Sequence, residues 1–536
     1  MNKNKLFYWT RSTRMLWRSA LVLALIMIGL GAAVSLLNEA RRDPVMRLLS
    51  DALDMDSESE FGVTSEQYDA RVRAVNKALD EVLSGAQPFY AKLDDLEILG
   101  GFAEGFEGIR FPAQKDISVL SKEEYAVASA FFRAVSTSNA EKFAAVREIG
   151  ALASAEKPLP CAHYAQGMVF EPLSYEAAVA AYKREAELFN LSAARWSVVR
   201  IYLEHSQYGK IKELQKDPEY APFITPMVRQ EIALANMDWP VLISTLISAA
   251  YERVDWGMVV LALMTGLVWS RILLRFNGPF SIRARPVQLA LPALLLGALS
   301  AHATILFIYW QEYQLDLSEP PDMMGQLLYC MSIGFREEAL KLLLFLPLVP
   351  FLWRRSSLEI LTVAGLVGLG FAVEENINYF EASFGISAVG RFVTANFVHT
   401  SLTAMGGLAL ARACMYREFK QLLQTFVTIV AIHGLYDAFL IMDVFAEFSW
   451  LALALFVFMS HQYFGWLRYL RESWQDPISI TFIFTLGLVF VVGLSFAICA
   501  WQVGPGPAFK AVASEVIGVA VILIMFYREI PETLGD

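Results

Sequence analysis

The chain has 536 residues, of which 56% are hydrophobic and 18% charged, and its formal net charge at pH 7 is -10. This hydrophobic excess is not typical of a soluble protein and predicts membrane spans. The acidic balance excludes nucleic acid as a partner, because a phosphate backbone attracts clustered Lys and Arg. The four cysteines lack Cys-x-x-Cys spacing, so they predict neither a disulfide framework nor a zinc ribbon.

Ten apolar segments are long enough to cross a bilayer. A helix rises about 1.5 Å per residue and the hydrocarbon core is about 30 Å thick, so a span needs about 20 mainly apolar residues. We therefore predict an all-α, polytopic bundle of about ten transmembrane helices. Their approximate limits are Leu16–Leu37, Trp256–Phe276, Val287–Trp310, Gly325–Trp353, Leu358–Phe380, Phe392–Tyr416, Leu422–Met442, Phe448–Leu470, Ile480–Trp501 and Val512–Tyr527. The first is expected to be a retained anchor, since it lacks a clear signal-peptide cleavage site.

Basic residues are distributed unequally between the two ends of these spans. The short loops on one side are rich in Lys and Arg, whereas those on the opposite side hold only Arg391 and Lys510. Because Lys and Arg collect in cytoplasmic loops, we predict that both termini are cytoplasmic. Residues 38–253 would then lie outside the membrane on the extracytoplasmic side.

This long segment between the first two spans is predicted to be a soluble helical domain. Stretches such as 174–183 and 192–202 place apolar residues at three- and four-residue intervals. Stacked hairpins of tetratricopeptide type fit this pattern. No strict repeat period is present, however, and an irregular helical bundle is the alternative. The acidic stretch 51–60 is predicted to be a linker.

Four charged residues interrupt the fourth predicted span: Arg336, Glu337, Glu338 and Lys341. Charged side chains at this depth are costly, so each needs a partner or a function. Glu337 and Lys341 are four residues apart and share a helix face, and Glu338 is three residues from Lys341. Lys341 can therefore neutralise one carboxylate and leave the other free to act. We interpret Arg336 as a counter-ion or snorkelling residue.

The fifth span contains Glu374, Glu375 and Asn376, after the closely spaced small residues Gly368 and Gly370. Small residues allow close helix approach. Successive helix positions differ by about 100°, so we expect one glutamate to point into the bundle and the other to meet polar atoms nearer the outer surface.

Two further spans contribute imidazoles. His399 lies in the sixth span, and the seventh contains His433 and Asp437, which are four residues apart on one face. Because the spans alternate in direction, these groups can meet the carboxylates in the outer half or the middle of the membrane.

Together these side chains supply what peptide hydrolysis needs, namely an activated water, an oxyanion donor and a proton for the leaving amine. We assign Glu337 or Glu338 as the general base. The histidines would position water, stabilise the oxyanion or bind a metal, and Asn376 and Asp437 would orient them. The predicted catalytic residues are Glu337, Glu338, Glu375, Asn376, His399, His433 and Asp437, with Lys341 and Arg336 as charge partners.

At these positions the sequence resembles the PrsW family of membrane proteases, within the wider group of glutamate-dependent intramembrane proteases. The resemblance rests on Glu337-Glu338-x-x-Lys341, Phe371-x-x-x-Glu375-Asn376, His399 and His433-x-x-x-Asp437, in that order. It implies cleavage of a membrane-anchored protein near the membrane boundary, in a bacterial inner membrane. The domains would be a cytoplasmic segment with the first anchor (1–37), the extracytoplasmic domain (38–253) and a nine-span membrane domain (254–536) with its catalytic core at 325–442.

The sequence is compatible with more than one function and with more than one form of the enzyme. A zinc ion held by Glu337, His399 and His433 is one form of the enzyme, and activation of water by glutamate without a metal is the other, which the resemblance to glutamate-type enzymes favours slightly. Buried carboxylates and histidines also serve proton-coupled transporters. A non-catalytic membrane scaffold is the remaining alternative. The hypothesis for the extracytoplasmic domain is that it screens or receives substrates.

Overall fold

The computed structural model describes residues 3–38, 45, 65–104, 106–137, 140–278, 280–315, 322–448, 450–470 and 478–534. Its regular structure over these residues is entirely helical, which confirms the all-α prediction. The chain divides into two compact units, Met1–Glu39 with Arg253–Asp536, and Ala40–Glu252. The predicted linker at 51–60 lies outside the described residues.

The first unit begins with α1 (Lys3–Arg11) and α2 (Thr13–Asn38), and the chain then enters the second unit. The described part of the second unit forms ten α-helices. In chain order they are α3 (Ser65–Ser84), α4 (Phe89–Ala103), α5 (Lys122–Ser136), α6 (Ala140–Ala153), α7 (Ala162–Phe170), α8 (Tyr175–Phe189), α9 (Ser192–Glu204), α10 (Tyr208–Leu214), α11 (Pro226–Asn236) and α12 (Trp239–Ala250).

From α3 to α10, each helix of the second unit packs mainly against the next one along the chain. Apolar residues at helical spacing form a continuous core, in which Leu79, Phe131 and Val198 are fully buried. Such consecutive packing is expected for stacked helical hairpins, since each pair buries its apolar face against its neighbours.

A buried carboxylate joins two of these helices. Glu185 on α8 accepts hydrogen bonds from the backbone N–H groups of Cys161 at 2.6 Å, His163 at 3.1 Å and Tyr164 at 3.2 Å. The first N–H groups of a helix have no partner within the helix, so this carboxylate satisfies the start of α7. Its burial nevertheless raises the pKa of Glu185 above the ordinary value.

The first unit continues with eleven further α-helices among the described residues. They are α13 (Trp256–Arg275), α14 (Arg285–Leu315), α15 (Met323–Phe345), α16 (Ser357–Ala382), α17 (Ala388–Val393), α18 (Ala395–Tyr416), α19 (Phe419–Ile441), α20 (Trp450–Leu470), α21 (Ile480–Val503), α22 (Pro505–Gly518) and α23 (Ala520–Leu534).

Seven helices of the described chain are long and apolar enough to cross a membrane: α2, α13, α14, α16, α19, α20 and α21. The pair α22 and α23, which is bent by 54°, would make an eighth span. Helices α15 and α18 lie where two more spans are predicted, but charged, polar and small residues lower their hydropathy. The protein is therefore a multi-pass membrane protein, and the count of ten spans stays a prediction.

Glycines allow the helices of the first unit to cross at short distances. A Cβ atom on Gly297 of α14 would overlap the carbonyl oxygen of Val367 on α16, and one on Gly368 of α16 would overlap the carbonyl oxygen of His399 on α18. Gly334 of α15 and Gly434 of α19 face each other in the same way. Larger residues at these positions would push the backbones apart.

An aromatic cluster packs against the start of α18. Trp269 on α13 donates a hydrogen bond from Nε1 to the carbonyl oxygen of Phe392 at 2.6 Å. Its ring also contacts Phe397, two residues before His399, as well as Phe484 and Phe526. These buried rings restrict how α18 can rotate, and so they help to position His399.

The glycine at the α14–α16 crossing gives a stability prediction. We expect Gly297→Ala to lower the free energy of unfolding by about 1–3 kcal/mol, because the added methyl group meets backbone that cannot move away. Thermal unfolding in detergent measures the change. Gly29→Ala on α2 is the matched control, since a Cβ there has no neighbour within 4 Å. It should be neutral or raise stability by up to about 1 kcal/mol. Equal melting temperatures for the two variants would contradict the packing argument.

Candidate active site

Four helices bring the polar residues of the first unit together around one ammonium group. Lys341 of α15 places Nζ 3.1 Å from Glu337 Oε2, 2.9 Å from Glu338 Oε1 and 2.9 Å from His399 Nδ1. The ammonium also lies 3.8 Å from the ring centroid of Phe371 on α16. Lys341 and Glu338 are fully buried. This lysine therefore contacts both glutamates of its own helix and a histidine from another.

The imidazole of His433 is held by a carboxylate on one side. Its Nδ1 lies 2.9 Å from Glu338 Oε1. Its other nitrogen, Nε2, faces Glu337 Oε2 at 3.6 Å and Asp437 Oδ2 at 3.5 Å. Because Glu338 makes the shorter contact, it is the group that orients this imidazole, and Asp437 lies beside the nitrogen that stays available.

The imidazole of His399 has the same arrangement. Its Nε2 lies 3.1 Å from Glu375 Oε2, while Nδ1 faces Glu337 Oε2 at 3.9 Å. The two histidine rings approach each other with their centroids 5.3 Å apart. Each histidine is thus fixed by one carboxylate and directs its second nitrogen toward Glu337.

These groups have the composition of a metal-binding site. Glu337, His399 and His433 each offer one ligand atom, and the three atoms lie within 4.8 Å of one another. Zinc bonds of about 2.0–2.2 Å place two tetrahedral ligands about 3.3–3.6 Å apart. The two distances from Glu337 Oε2 to the histidine nitrogens, 3.6 and 3.9 Å, approach this spacing. Carboxylates behind the histidines are the usual second layer of a zinc site. The donor set fits zinc, provided that Lys341 gives up its contact with Nδ1 of His399.

The sequence interpretation missed the role of Arg391, which lies on the short helix α17. This arginine forms an ion pair with Glu375 and donates from Nε to Asn376 Oδ1 at 2.5 Å. Its guanidinium lies 3.6 Å from the ring centroid of Tyr379. Arg391 is one of only two basic residues in the short loops opposite the basic side. That exception to the charge asymmetry was the signal available in the sequence.

The second asparagine in this region was also missed. Asn376 donates from Nδ2 to Asn396 Oδ1 at 2.8 Å, and both amides are fully buried. Through Arg391 and Asn396, Asn376 joins α16 to α17 and α18 rather than contacting an imidazole.

Two of the predicted charged residues lie outside the cluster. Glu374 pairs with His302 of α14, where Oε1 and Nε2 are 3.0 Å apart. Arg336 donates from Nη1 to Gln311 Oε1 at 3.3 Å, and in the described chain it has no ion pair with the site carboxylates. Neighbouring charges on α15 and α16 therefore point in different directions, as expected for successive helix positions.

Solvent exposure decreases across the site. The side chains of Glu375 and Asp437 are 24% and 17% exposed, that of Glu337 is 10% exposed, and those of Glu338 and Lys341 are fully buried. Glu375 and Asp437 are therefore the least buried side chains of the cluster. Glu337 is the more accessible carboxylate of its pair.

The comparison with known proteins gives a match over the helices that carry this cluster. Residues 285–461 match the family model described as PrsW family intramembrane metalloprotease. The match begins with α14, includes α15, α16, α18 and α19, and ends within α20, so it contains every residue of the cluster. No curated protein and no solved structure matches the chain. The family match and the clustered residues agree with the resemblance found in the sequence. Residues 285–461, about a third of the chain, thus match the PrsW family of intramembrane proteases, and this match identifies a peptide hydrolase of the membrane.

Proposed function

We propose that the chain cleaves membrane-anchored proteins close to the outer face of the bilayer, at a centre formed by Glu337, His399 and His433. The observation that carries this proposal is the pair of histidine nitrogens that face Glu337 Oε2 at 3.6 and 3.9 Å. Each histidine is backed by a separate carboxylate, so the arrangement is pre-organised rather than a chance contact of polar groups.

A zinc ion is the cofactor that these three side chains would hold. The mixed histidine and carboxylate ligand set is typical of catalytic zinc, and the matched family carries metalloprotease in its description. When bound in such a site, zinc polarises a carbonyl group and lowers the pKa of water. This proposal takes the metal-dependent alternative of the two that the sequence left open.

The chain's own residues would carry the proton transfers. Asp437 is the partly exposed carboxylate next to His433 Nε2, and we assign it to accept the proton of the attacking water. As the C–N bond of the peptide breaks and the water oxygen bonds to the carbonyl carbon, the same carboxyl group returns the proton to the leaving amine. Glu338 and Glu375 hold the two imidazoles in orientation, and Lys341 offsets the negative charge of Glu337 and Glu338.

The position of the site supports cleavage near one membrane face. His399 is the fifth residue of α18, and Glu375 lies seven residues before the end of α16, so both are near the ends of their helices opposite Arg354 and Arg417. The charge asymmetry predicts that these ends are extracytoplasmic. The more exposed side chains of the cluster also lie on this side of the site, from which a substrate chain would enter.

The competing functions lack a comparable observation. Transporters of alternating-access type are usually built from repeated halves with binding sites in broken helices. The cluster here lies on four continuous helices that belong to one protease family match. A scaffold would not need two histidines directed at one carboxylate. The unit Ala40–Glu252 is proposed to receive or screen substrates.

Metal analysis tests the ligand assignment. We expect the purified protein to hold one zinc ion per chain and to lose it in Glu337→Gln and His433→Ala variants. Glu375→Gln should weaken binding about 10–100-fold, because Glu375 fixes His399 from behind. Glu374→Gln, one residue away but paired with His302, is the matched control and should bind like the wild type. Metal-free wild-type protein that still cleaves and is insensitive to chelators would restore the metal-independent alternative.

Cleavage assays distinguish the residues that bind zinc from the residue that transfers the proton. With a single-span reporter that the wild-type chain cuts in proteoliposomes, Asp437→Asn should reduce the rate about 10²–10⁴-fold, as expected for loss of a general acid–base group. This variant should keep its zinc, whereas Glu337→Gln should lose both zinc and cleavage. A fully active Asp437→Asn variant would remove Asp437 from the proton pathway.

Arg391 gives a separate prediction about positioning. Arg391→Gln should weaken zinc binding about tenfold, in the same direction as Glu375→Gln, because Glu375 would lose the cation that holds it against His399. Arg391→Lys should restore only part of the affinity, since an ammonium group cannot contact Glu375 and Asn376 with the planar geometry of a guanidinium. Competition with a chromogenic chelator measures the zinc dissociation constants of the two variants. If Arg391→Gln binds zinc as tightly as the wild type, Arg391 has no positioning role.

A further inference from the structure

A cavity of about 340 Å³ lies at the ends of four helices of the membrane unit, away from the candidate active site. Its walls come from the start of α16, the second half of α18, the start of α19 and the end of α20, which pack against one another. We call it the helix-end cavity. Its lining residues are Ser357, Met405, Leu408, Ala409, Arg412, Gln421, Thr425, Trp466, Tyr469 and Leu470. Arg412 is thirteen residues beyond His399 on α18, or about 20 Å along the helix axis.

The lining combines two chemistries. Met405, Leu408, Ala409 and Leu470 form apolar walls, whereas Arg412, Gln421 and Thr425 supply polar groups. Trp466 and Tyr469 belong to the residue types that gather at membrane–water interfaces. Because these residues stand at the ends of membrane helices, the cavity has the composition of a site at headgroup depth. A molecule with a polar head and an apolar tail would satisfy both parts.

Among the residues that the structure describes, those around this cavity carry a positive net charge. Arg412 uses Nε and Nη2 to bind Glu418 at 2.8 and 3.3 Å, so the pair is fixed in place. A guanidinium has five N–H donors, and the other three of Arg412 have no protein partner in the described chain. The residues that flank α16 and α19 at this end add four exposed cations: Arg354, Arg355, Arg417 and Lys420. Among the described residues, none of the four forms an ion pair.

Helix direction adds to this positive field. Helix α16 has 26 residues and α19 has 23, and both direct their N-terminal ends toward the cavity, where Ser357 and Gln421 lie in the first turn. Helix N-termini carry a partial positive charge and unpaired N–H groups. Among the described residues at this end, the acidic ones are Glu359, Glu418 and Glu529, the last of which pairs with Arg468 of α20, so the cations outnumber them. The field therefore favours an anion beside the apolar walls.

We propose that the helix-end cavity binds an anionic phospholipid from the leaflet at which these basic residues lie. Its phosphate would contact Arg412 and Gln421, and an acyl chain would lie along Met405, Leu408 and Leu470. Basic pockets between membrane helices are suited to anionic headgroups. A free phosphate ion would leave the apolar walls in contact with water, whereas a lipid covers them.

Binding would tie together the ends of four helices. Two of them, α18 and α19, also carry His399 and His433, which lie farther along these helices from the cavity. A lipid held between their ends would resist sliding of one helix past the other. The binding itself does not depend on the proposed peptidase chemistry and can be measured without a substrate.

Native mass spectrometry of the purified full-length chain tests the proposal, with phosphatidylglycerol and phosphatidylcholine of the same acyl chains as probes. We expect phosphatidylglycerol to be retained at least tenfold more tightly than phosphatidylcholine and to raise the melting temperature. Ala409→Trp, which fills the cavity, should abolish this preference. Cys414→Trp is the matched control, because Cys414 is exposed on the same helix and does not line the cavity.

A second pair of variants tests the charge without changing the volume. Arg412→Gln should reduce phosphatidylglycerol binding at least tenfold, whereas Arg283→Gln, an exposed arginine between α13 and α14, should bind as the wild type. If Ala409→Trp does not fold, the comparison of Arg412→Gln with Arg283→Gln tests the proposal by itself. Equal retention of the two lipids by the wild type, or an unchanged preference in Arg412→Gln, would overturn the proposal.

Discussion

The membrane unit depends on one buried ammonium group. Lys341 is fully buried and lies within 3.1 Å of both Glu337 and Glu338, and it also reaches His399 at 2.9 Å. Two adjacent carboxylates in an apolar helix bundle would repel each other and lose their hydration, which costs several kcal/mol per charge if no cation is near. Lys341 offsets this cost and at the same time draws three helices toward one point. Glu338 also contacts His433 and Thr403 and is fully buried, so Glu337 is the more accessible carboxylate of the pair.

Short side-chain distances of this kind require close backbones, and small residues provide them. Gly334 and Gly434 allow α15 and α19 to approach, which places Glu338 within reach of His433. Gly368 lies against the carbonyl oxygen of His399 and brings α16 to α18. In a bilayer, where lipid is as apolar as the helix surface, packing of this type and polar contacts are the main forces that hold helices together. The glycines and the buried charges are thus two parts of one arrangement.

The two units of the chain differ in their similarity to known proteins. The matched residues 285–461 contain the whole polar cluster, so the similarity to the PrsW family and the candidate site lie on the same helices. The unit Ala40–Glu252 lies outside this match, and its stack of helices has an apolar core of its own. Extended helical stacks present long surfaces to partners. This property is consistent with a substrate-receiving role, which remains our proposal for that unit.

The sequence by itself determined the helical class, the location of most spans and the identity of the polar residues, because hydropathy and residue spacing are local properties. It also placed Lys341 within reach of both glutamates, since positions three and four residues apart share a helix face. The expectation that Lys341 neutralises only one of them was wrong, because its ammonium group contacts both. Only the tertiary structure decided which carboxylate serves which histidine. Glu375 and Glu374 are adjacent and chemically identical, yet one reaches His399 and the other His302. Arg391 binds Glu375 from a short helix sixteen residues away. Such choices depend on the rotation and crossing of helices that are distant in sequence, which no local pattern encodes.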